Sequence, residues 1–341
     1  MVYGANGYTG TLVARLAAAR GSRPVLAGRD ARAVATLAGE LGLDHVSFDL
    51  RDPAAIRRHL AEVAVVAHCA GPFTATSRPM VDACLDTGTH YLDVTGELPV
   101  FEAVLSRDAE ARARGVALIT GGGFDVVPTD CLAGLLHAAL PGATALELAF
   151  WAPGGLSRGT ATTGLAAMGD GGRIRVGGLL VPTPVGTPAR EVAFPSKTRR
   201  VGAVPWGDLV TAYHSTVIPD ITIYTRADEQ KLLRYAPVRA VARWVVRRRP
   251  PGPSAQIRAA TRVEVWGEVR DGAGQRRTAT LVGPNAYDLT ADAVHRAAEH
   301  LTAGTGGRDG AAVRPGAHTP ATAFGPRFLD QLTGVEIDGP R

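Results

Sequence analysis

The heptapeptide Gly4-Ala5-Asn6-Gly7-Tyr8-Thr9-Gly10 constrains the fold more than any other feature, because it joins a short β-type run (2–3) to a helical stretch (9–19). Glycines at this spacing in a strand-to-helix turn allow the tight bend. They also let the backbone approach a pyrophosphate, whose charge the helix N-terminus stabilises. Gly4, Asn6, Gly7, Tyr8, Thr9 and Gly10 are therefore expected to line a dinucleotide site.

The following sequence strengthens this expectation. Short β-type runs at 24–27, 46–48, 63–68, 91–94 and 116–119 alternate with helical runs at 32–41, 53–60, 78–87 and 99–114, the rhythm of βαβ units. Six parallel strands with helices on both faces predict a doubly wound, Rossmann-type α/β domain over residues 1–125. After Gly121-Gly122-Gly123 the rhythm changes. A helix at 126–140, a strand at 145–151, glycine-rich β-prone sequence to about 225 and a hairpin at 262–269 and 277–282 predict a second, α+β domain over 126–303. Residues 304–341 are expected to pack back on the first domain, with 304–318 as loop.

Composition narrows the partners. The 341 residues are 45% hydrophobic and 20% charged, the profile of a folded chain with room for two domains. The net charge of +5 is spread along the sequence without a basic stripe, so nucleic acid is not an expected partner. Cys69, Cys84 and Cys131 form no CxxC pair and no HExxH occurs, which predicts neither a disulfide framework nor a metal site. No apolar run reaches the roughly 18–20 residues of a membrane span. Residues 1–20 read as a turn and a helix rather than a signal peptide, so a cytoplasmic location is expected.

The ends of the later strands address the cofactor. Arg29, at the end of the second strand, suits the 2′-phosphate of NADP(H), where an acidic residue would suit the ribose of NAD. Asp30 next to it stays open as a ribose ligand or as the N-cap of the next helix. Asp49 is expected on the adenine side, and Ala70-Gly71-Pro72-Phe73 along the pyrophosphate and nicotinamide ribose.

Five motifs now stand in order: GANGYTG, AGRD at 27–30, CAGPF at 69–73, GTHYLDVTGE at 88–97 and GGFDVVPTD at 122–130. Together they resemble the saccharopine dehydrogenase-like oxidoreductases, a group that includes mycobacterial trans-acting enoyl reductases. The likeness continues more loosely through PWGD at 205–208, YHST at 213–216 and TPA at 319–321. The resemblance implies an NADP-binding Rossmann domain, a second domain whose sheet often supports a homodimer, and a C-terminal segment returning to the first domain. Only three residues precede Gly4, so a clipped start stays open.

The chemistry is less specific. No lysine lies four residues after any tyrosine, which removes the short-chain dehydrogenase arrangement. Glu97 and Asp125, after the fifth and sixth strands, and Tyr213 and His214 from the second domain are the candidate catalytic residues; the four acids Asp93, Glu97, Asp125 and Asp130 have helix capping or loop binding as alternatives, and the histidine a structural role. The stretch 237–249 places Arg239, Arg243 and Arg247 on one helical face, which suits either a peripheral membrane or acyl-carrier contact or a solvated surface. The leading expectation is an NADP(H)-dependent reductase of a C=C or C=N bond in a small or lipid-like metabolite. The alternative is a non-catalytic NADP-binding redox sensor or scaffold.

Overall fold

Short apolar strands alternating with amphipathic helices build a seven-stranded parallel sheet, seen in a computed structural model that describes residues 1–167, 171–226, 245, 246, 248, 250–303 and 313–341. Its elements are β1 (Val2–Tyr3), α1 (Tyr8–Ala19), β2 (Leu26–Gly28), α2 (Ala31–Leu41), β3 (His45–Ser47), α3 (Pro53–Leu60), β4 (Val65–His68), α4 (Phe73–Thr87), β5 (His90–Asp93), α5 (Leu98–Leu105), α6 (Asp108–Arg114) and β6 (Ala117–Ile119). Strand order is Gly316–His318, β6, β5, β4, β1, β2, β3. The order reverses at β1, which pairs with β4 on one side and β2 on the other, so the carboxyl end of β1 opens at the switch point where such sheets bind ligands. Every residue of β4 and β6 is buried, as expected of strands covered on both faces.

Two details differ from the sequence reading. The single helix expected at 99–114 is two helices, broken where the Ser106 hydroxyl bonds back to the Ala103 carbonyl at 2.8 Å. The stretch expected to be loop contains a seventh strand, Gly316–His318, which pairs in parallel with β6 and is anchored by Ala317 N–H donating to the Asp108 carboxylate at 3.0 Å.

The compact unit around this sheet comprises residues 1–95, 99–124 and 287–324. A second unit comprises 96–98, 125–286 and 325–341, so the chain passes between units more than once instead of breaking simply near 125 and 304. The last segment divides, because Glu336–Asp338 pairs with a strand of the second sheet.

The second unit contains α7 (Val127–Ala139), β7 (Ala143–Trp151), α8 (Arg158–Ala167), β8 (Gly172–Val176), β9 (Leu179–Thr183), β10 (Ala189–Ala193), β11 (Thr198–Ala203), α9 (Asp208–Thr216), β12 (Asp220–Thr225), β13 (Val263–Asp271) and β14 (Arg276–Gly283). Its mixed sheet runs β10, β11, β12, β7, β13, β14, Glu336–Asp338, with the hairpin β8–β9 attached to β12. α7 lies on this sheet through Gly267, where an added Cβ would meet Leu136 at 2.6 Å and Leu148 at 3.0 Å.

The stretch read as β-prone holds two helices. α8 starts where the Ser157 hydroxyl accepts from Thr160 N–H, and it buries Ala161 and Leu165 against Val246. α9 buries Leu209, Val210, Ala212 and Thr216. In both, tertiary packing overrides the weak helix preference of Gly, Thr and Val. The basic stretch 237–249, apart from Val245, Val246 and Arg248, lies outside the described residues. Among the described residues no helix is long and apolar enough to cross a membrane.

Candidate functional site

The glycine loop is fixed from both neighbouring strands. Gly4 and Ala5 N–H both donate to the Ala27 carbonyl of β2, at 2.8 and 3.1 Å, and Gly7 N–H donates to the Gly4 carbonyl at 2.9 Å. Gly4 has φ +81°, and a Cβ there would sit 2.9 Å from Ala70, so both conformation and space demand glycine. At Gly10 a Cβ would lie 2.2 Å from the Gly4 carbonyl oxygen, which explains how α1 packs so closely on the strand end. No side chain caps α1, whose N-terminus opens toward the loop. Asn6 is exposed, with its Oδ1 over Gly28, while Tyr8 packs edge-on against Tyr287 at 5.0 Å and Thr9 is half-buried.

Arg29 is exposed at the end of β2 and forms no ion pair among the described residues. Asp30 caps α2, accepting from Ala33 N–H at 3.0 Å. Asp49 is bracketed by Arg51, whose guanidinium donates at 2.9 and 3.0 Å and whose backbone N–H donates at 2.9 Å; these bonds hold its carboxyl down to about 2. Of the β4 turn, Gly71 and Pro72 are exposed and Ala70 touches the glycine loop. Phe73 instead turns inward, edge-on to the buried His68 at 5.3 Å, so its ring serves the core.

The loops after β5 and β6 are tied together by Asp93. Its buried carboxylate accepts from Tyr91 Oη at 2.9 Å, Thr95 N–H at 3.0 Å, Thr120 Oγ1 at 3.1 Å and Gly121 N–H at 2.8 Å. Burial nevertheless dominates and raises the Asp93 carboxyl to about 6.

In the second unit, Asp125 is half-buried and desolvation raises its carboxyl to about 6. Trp206 Nε1 donates to its carbonyl at 2.8 Å while the indole packs on Phe150. Gly96 supplies room for the carboxylate, since a Cβ there would meet Asp125 Oδ2 at 2.8 Å. Glu97 is half-buried beside Gly96 in the chain. Tyr213 and His214 stand on α9 rather than on a strand; the Tyr213 ring lies under the Arg175 guanidinium at 4.0 Å, and His214 is exposed. Asp130 on α7 accepts from the Ser215 hydroxyl, and Thr129 Oγ1 lies 2.7 Å from Asp208 Oδ1. Among the described residues no cluster has the make-up of a metal site.

The family profile described as the saccharopine dehydrogenase NADP binding domain matches residues 1–119. The nucleotide-binding domain is of the saccharopine dehydrogenase type. Its nucleotide is NADP(H). A trans-acting enoyl reductase of Mycobacterium leprae is 33% identical over 138 residues, covering 38% of this chain and 33% of that protein. A saccharopine dehydrogenase-like oxidoreductase of Rattus norvegicus is 29% identical over 152 residues, covering 38% of this chain and 35% of that protein. The matches thus span about a third of the length of these curated relatives. The apo saccharopine dehydrogenase (L-Glu forming) of Saccharomyces cerevisiae shares the fold over 99% of this chain and 98% of its own, with a TM-score of 0.63 and 14% identity.

The NADP-binding domain fits its nucleotide on local grounds. The cradle at Gly4 and Gly10 admits no Cβ, the α1 N-terminus carries no side-chain cap, and the Arg29 guanidinium forms no ion pair among the described residues. The sequence reading counted Asp93 among acids that could bind loops without foreseeing that it ties two of them together, and it did not single out the Asp208–Thr129 contact. A buried acid inside the apolar run of β5 was the available signal for the first; the second joins residues 79 positions apart and has no local signature.

Proposed function

We propose that this protein is an NADPH-dependent reductase of a C=C or C=N bond in a small or lipid-like metabolite, with Asp125 as the proton donor. The observation that carries this reading is the Asp125 carboxyl, raised by desolvation to about 6 and joined in the chain directly to Phe124, where the nucleotide-binding unit ends. When bound, NADPH supplies a hydride. The glycine loop and the α1 N-terminus hold the pyrophosphate, and Arg29 pairs with the 2′-phosphate. Asp125, protonated below about 6, donates to the atom left electron-rich by reduction, while Gly96 leaves its carboxylate space and Trp206 fixes its backbone. The relatives named trans-acting enoyl reductase favour C=C as the bond reduced. Asp49, Ala70, Gly71 and Pro72 complete the nucleotide contacts, with Glu97, Tyr213 and His214 as further polar groups toward substrate.

The test compares wild type with Asp125→Asn in NADPH oxidation across a panel of enoyl and imine acceptors. A lost general acid lowers kcat by roughly 100-fold or more with NADPH affinity unchanged. Equal turnover by the variant would remove Asp125 from the chemistry.

A further inference from the structure

His68 ends β4 and is fully buried, its ring enclosed by Tyr3, Phe73 and Tyr91 at centroid distances of 5.7, 5.3 and 6.1 Å. Its Nε2 lies 3.1 Å from Thr76 Oγ1 on the first turn of α4, and its Nδ1 has no hydrogen-bond partner. Thr76 Oγ1 in turn lies 2.7 Å from the Ala70 carbonyl oxygen and 3.1 Å from that of Pro72. The Pro72 carbonyl already accepts from Ala75 N–H at 3.1 Å, whereas the Ala70 carbonyl has no other donor among the described residues.

Only one arrangement of protons suits all of these groups. Carbonyl oxygens accept and never donate, and a threonine hydroxyl has a single proton to give. If Thr76 gave it to His68, Oγ1 and the Ala70 carbonyl oxygen would meet at 2.7 Å with no proton between them. The ring would then carry its own proton on Nδ1, a buried donor without an acceptor. A doubly protonated ring would leave the same N–H unpaired and add a buried charge. With the proton on Nε2, His68 donates to Thr76, Thr76 donates to Ala70, and only a lone pair on Nδ1 stays unpaired. Burial also pulls the imidazole down to about 3, in keeping with a neutral ring.

The Ala70 carbonyl links this chain to the nucleotide loop. Ala70 packs on that loop, where a Cβ on Gly4 would come within 2.9 Å of both the Ala70 Cβ and its backbone nitrogen. Cys69, just before it, donates its N–H to the Tyr3 carbonyl of β1 at 2.8 Å. A carbonyl released here would be free to turn its negative end toward the pyrophosphate; Thr76 holds it on α4 instead. We infer that Thr76, oriented by His68 as the neutral Nε2–H tautomer, is a positioning residue for NADP(H): it keeps the Ala70 carbonyl off the pyrophosphate and the turn Ala70-Gly71-Pro72 seated on the glycine loop. This role rests on the reading that the turn touches the nucleotide, and the experiment separates the two.

NADPH fluorescence titrations compare wild type, Thr76→Val and Thr76→Ser, while NMR follows the Gly71 amide of the wild type as NADPH is added. Thr76→Val keeps the shape of threonine without the hydroxyl and should bind NADPH roughly 5- to 10-fold more weakly; Thr76→Ser keeps the hydroxyl and should bind as the wild type does. In nitrogen NMR of the histidine rings, with His68 assigned by the signals lost in His68→Gln, Nε2 should carry the proton and Nδ1 should not. A Gly71 amide that moves with NADPH, together with unchanged affinity in Thr76→Val or an equal loss in Thr76→Ser, would overturn the positioning role alone. A Gly71 amide that NADPH leaves unmoved would overturn the turn's contact with the nucleotide, and the role with it. A proton on Nδ1 would overturn the inference as well. Should Thr76→Val fail to fold, Thr76→Ala, the better helix former, removes the same hydroxyl and decides in its place.

Discussion

Replacing Gly10 by alanine tests how closely the nucleotide loop is built. The new Cβ would lie 2.2 Å from the Gly4 carbonyl oxygen, 2.8 Å from the Gly4 carbonyl carbon and 3.0 Å from the Ala5 Cα, all backbone atoms with no rotamer to yield. An ordinary C···O contact is about 3.3 Å or more, so α1 must withdraw by about 1 Å. Withdrawal strains the 2.9 Å bond from Gly7 N–H to the Gly4 carbonyl and the 2.9 Å bond from the Thr11 hydroxyl to the Ala5 carbonyl. Overpacking costs about 1–3 kcal/mol, and each weakened bond up to about 1 kcal/mol, so a loss of about 3 kcal/mol is expected. The same movement pulls the helix N-terminus from the pyrophosphate and weakens NADPH binding by at least tenfold, the equivalent of about 1.4 kcal/mol. Gly39→Ala is the control, because nothing lies within 4 Å of its added Cβ in α2; it should stabilise the protein by about 0.5–1 kcal/mol. Urea unfolding and NADPH fluorescence titration measure both effects. Unchanged stability and affinity in Gly10→Ala would refute the packing argument.

Other consequences are equally direct. Arg29→Ala removes charge-assisted bonds worth about 1.5–3 kcal/mol and should weaken NADPH binding by roughly 10- to 150-fold, leaving NADH binding as it was; an equal loss for both nucleotides would place Arg29 elsewhere. Asp93 has its folded carboxyl raised to about 6, so its contribution to stability is complete below the ordinary aspartate value of about 4 and is lost as pH rises through about 6. Asp93→Asn keeps acceptors for Thr95 and Gly121 but lacks the charge, so the stability difference between wild type and variant should move by about 2 kcal/mol in the variant's favour between pH 4 and pH 7. A difference independent of pH would mean that Asp93 titrates alike in both states. Trp206→Phe keeps packing on Phe150 but removes the donor to the Asp125 carbonyl, at a cost of about 1 kcal/mol in urea unfolding.

What could be read from the sequence was whatever is local. The glycine spacing, the adjacency of Arg29 to a strand end and the acid after Gly123 are short-range patterns, and the seven-residue loop announced the first unit. The strand Gly316–His318 was hidden because three residues without alternation become a strand only when β6 supplies a partner. Tyr213 and His214 were assigned to β-prone sequence since Thr and Val near them favour strands, whereas burial of Leu209, Val210 and Ala212 makes the segment α9. The inward turn of Phe73 depends on His68 and could not be seen from the turn motif alone.

The most direct test of the proposed reaction is hydride tracing. NADPH deuterated at C4, with each face labelled separately, would be incubated with the protein and a metabolite extract, and the products examined by mass spectrometry. Deuterium should appear on one reduced carbon from one face only, roughly 100-fold or more slowly in Asp125→Asn than in the wild type. NADPH that binds yet passes deuterium to no product from either face would contradict the reductase reading and leave a nucleotide-binding sensor.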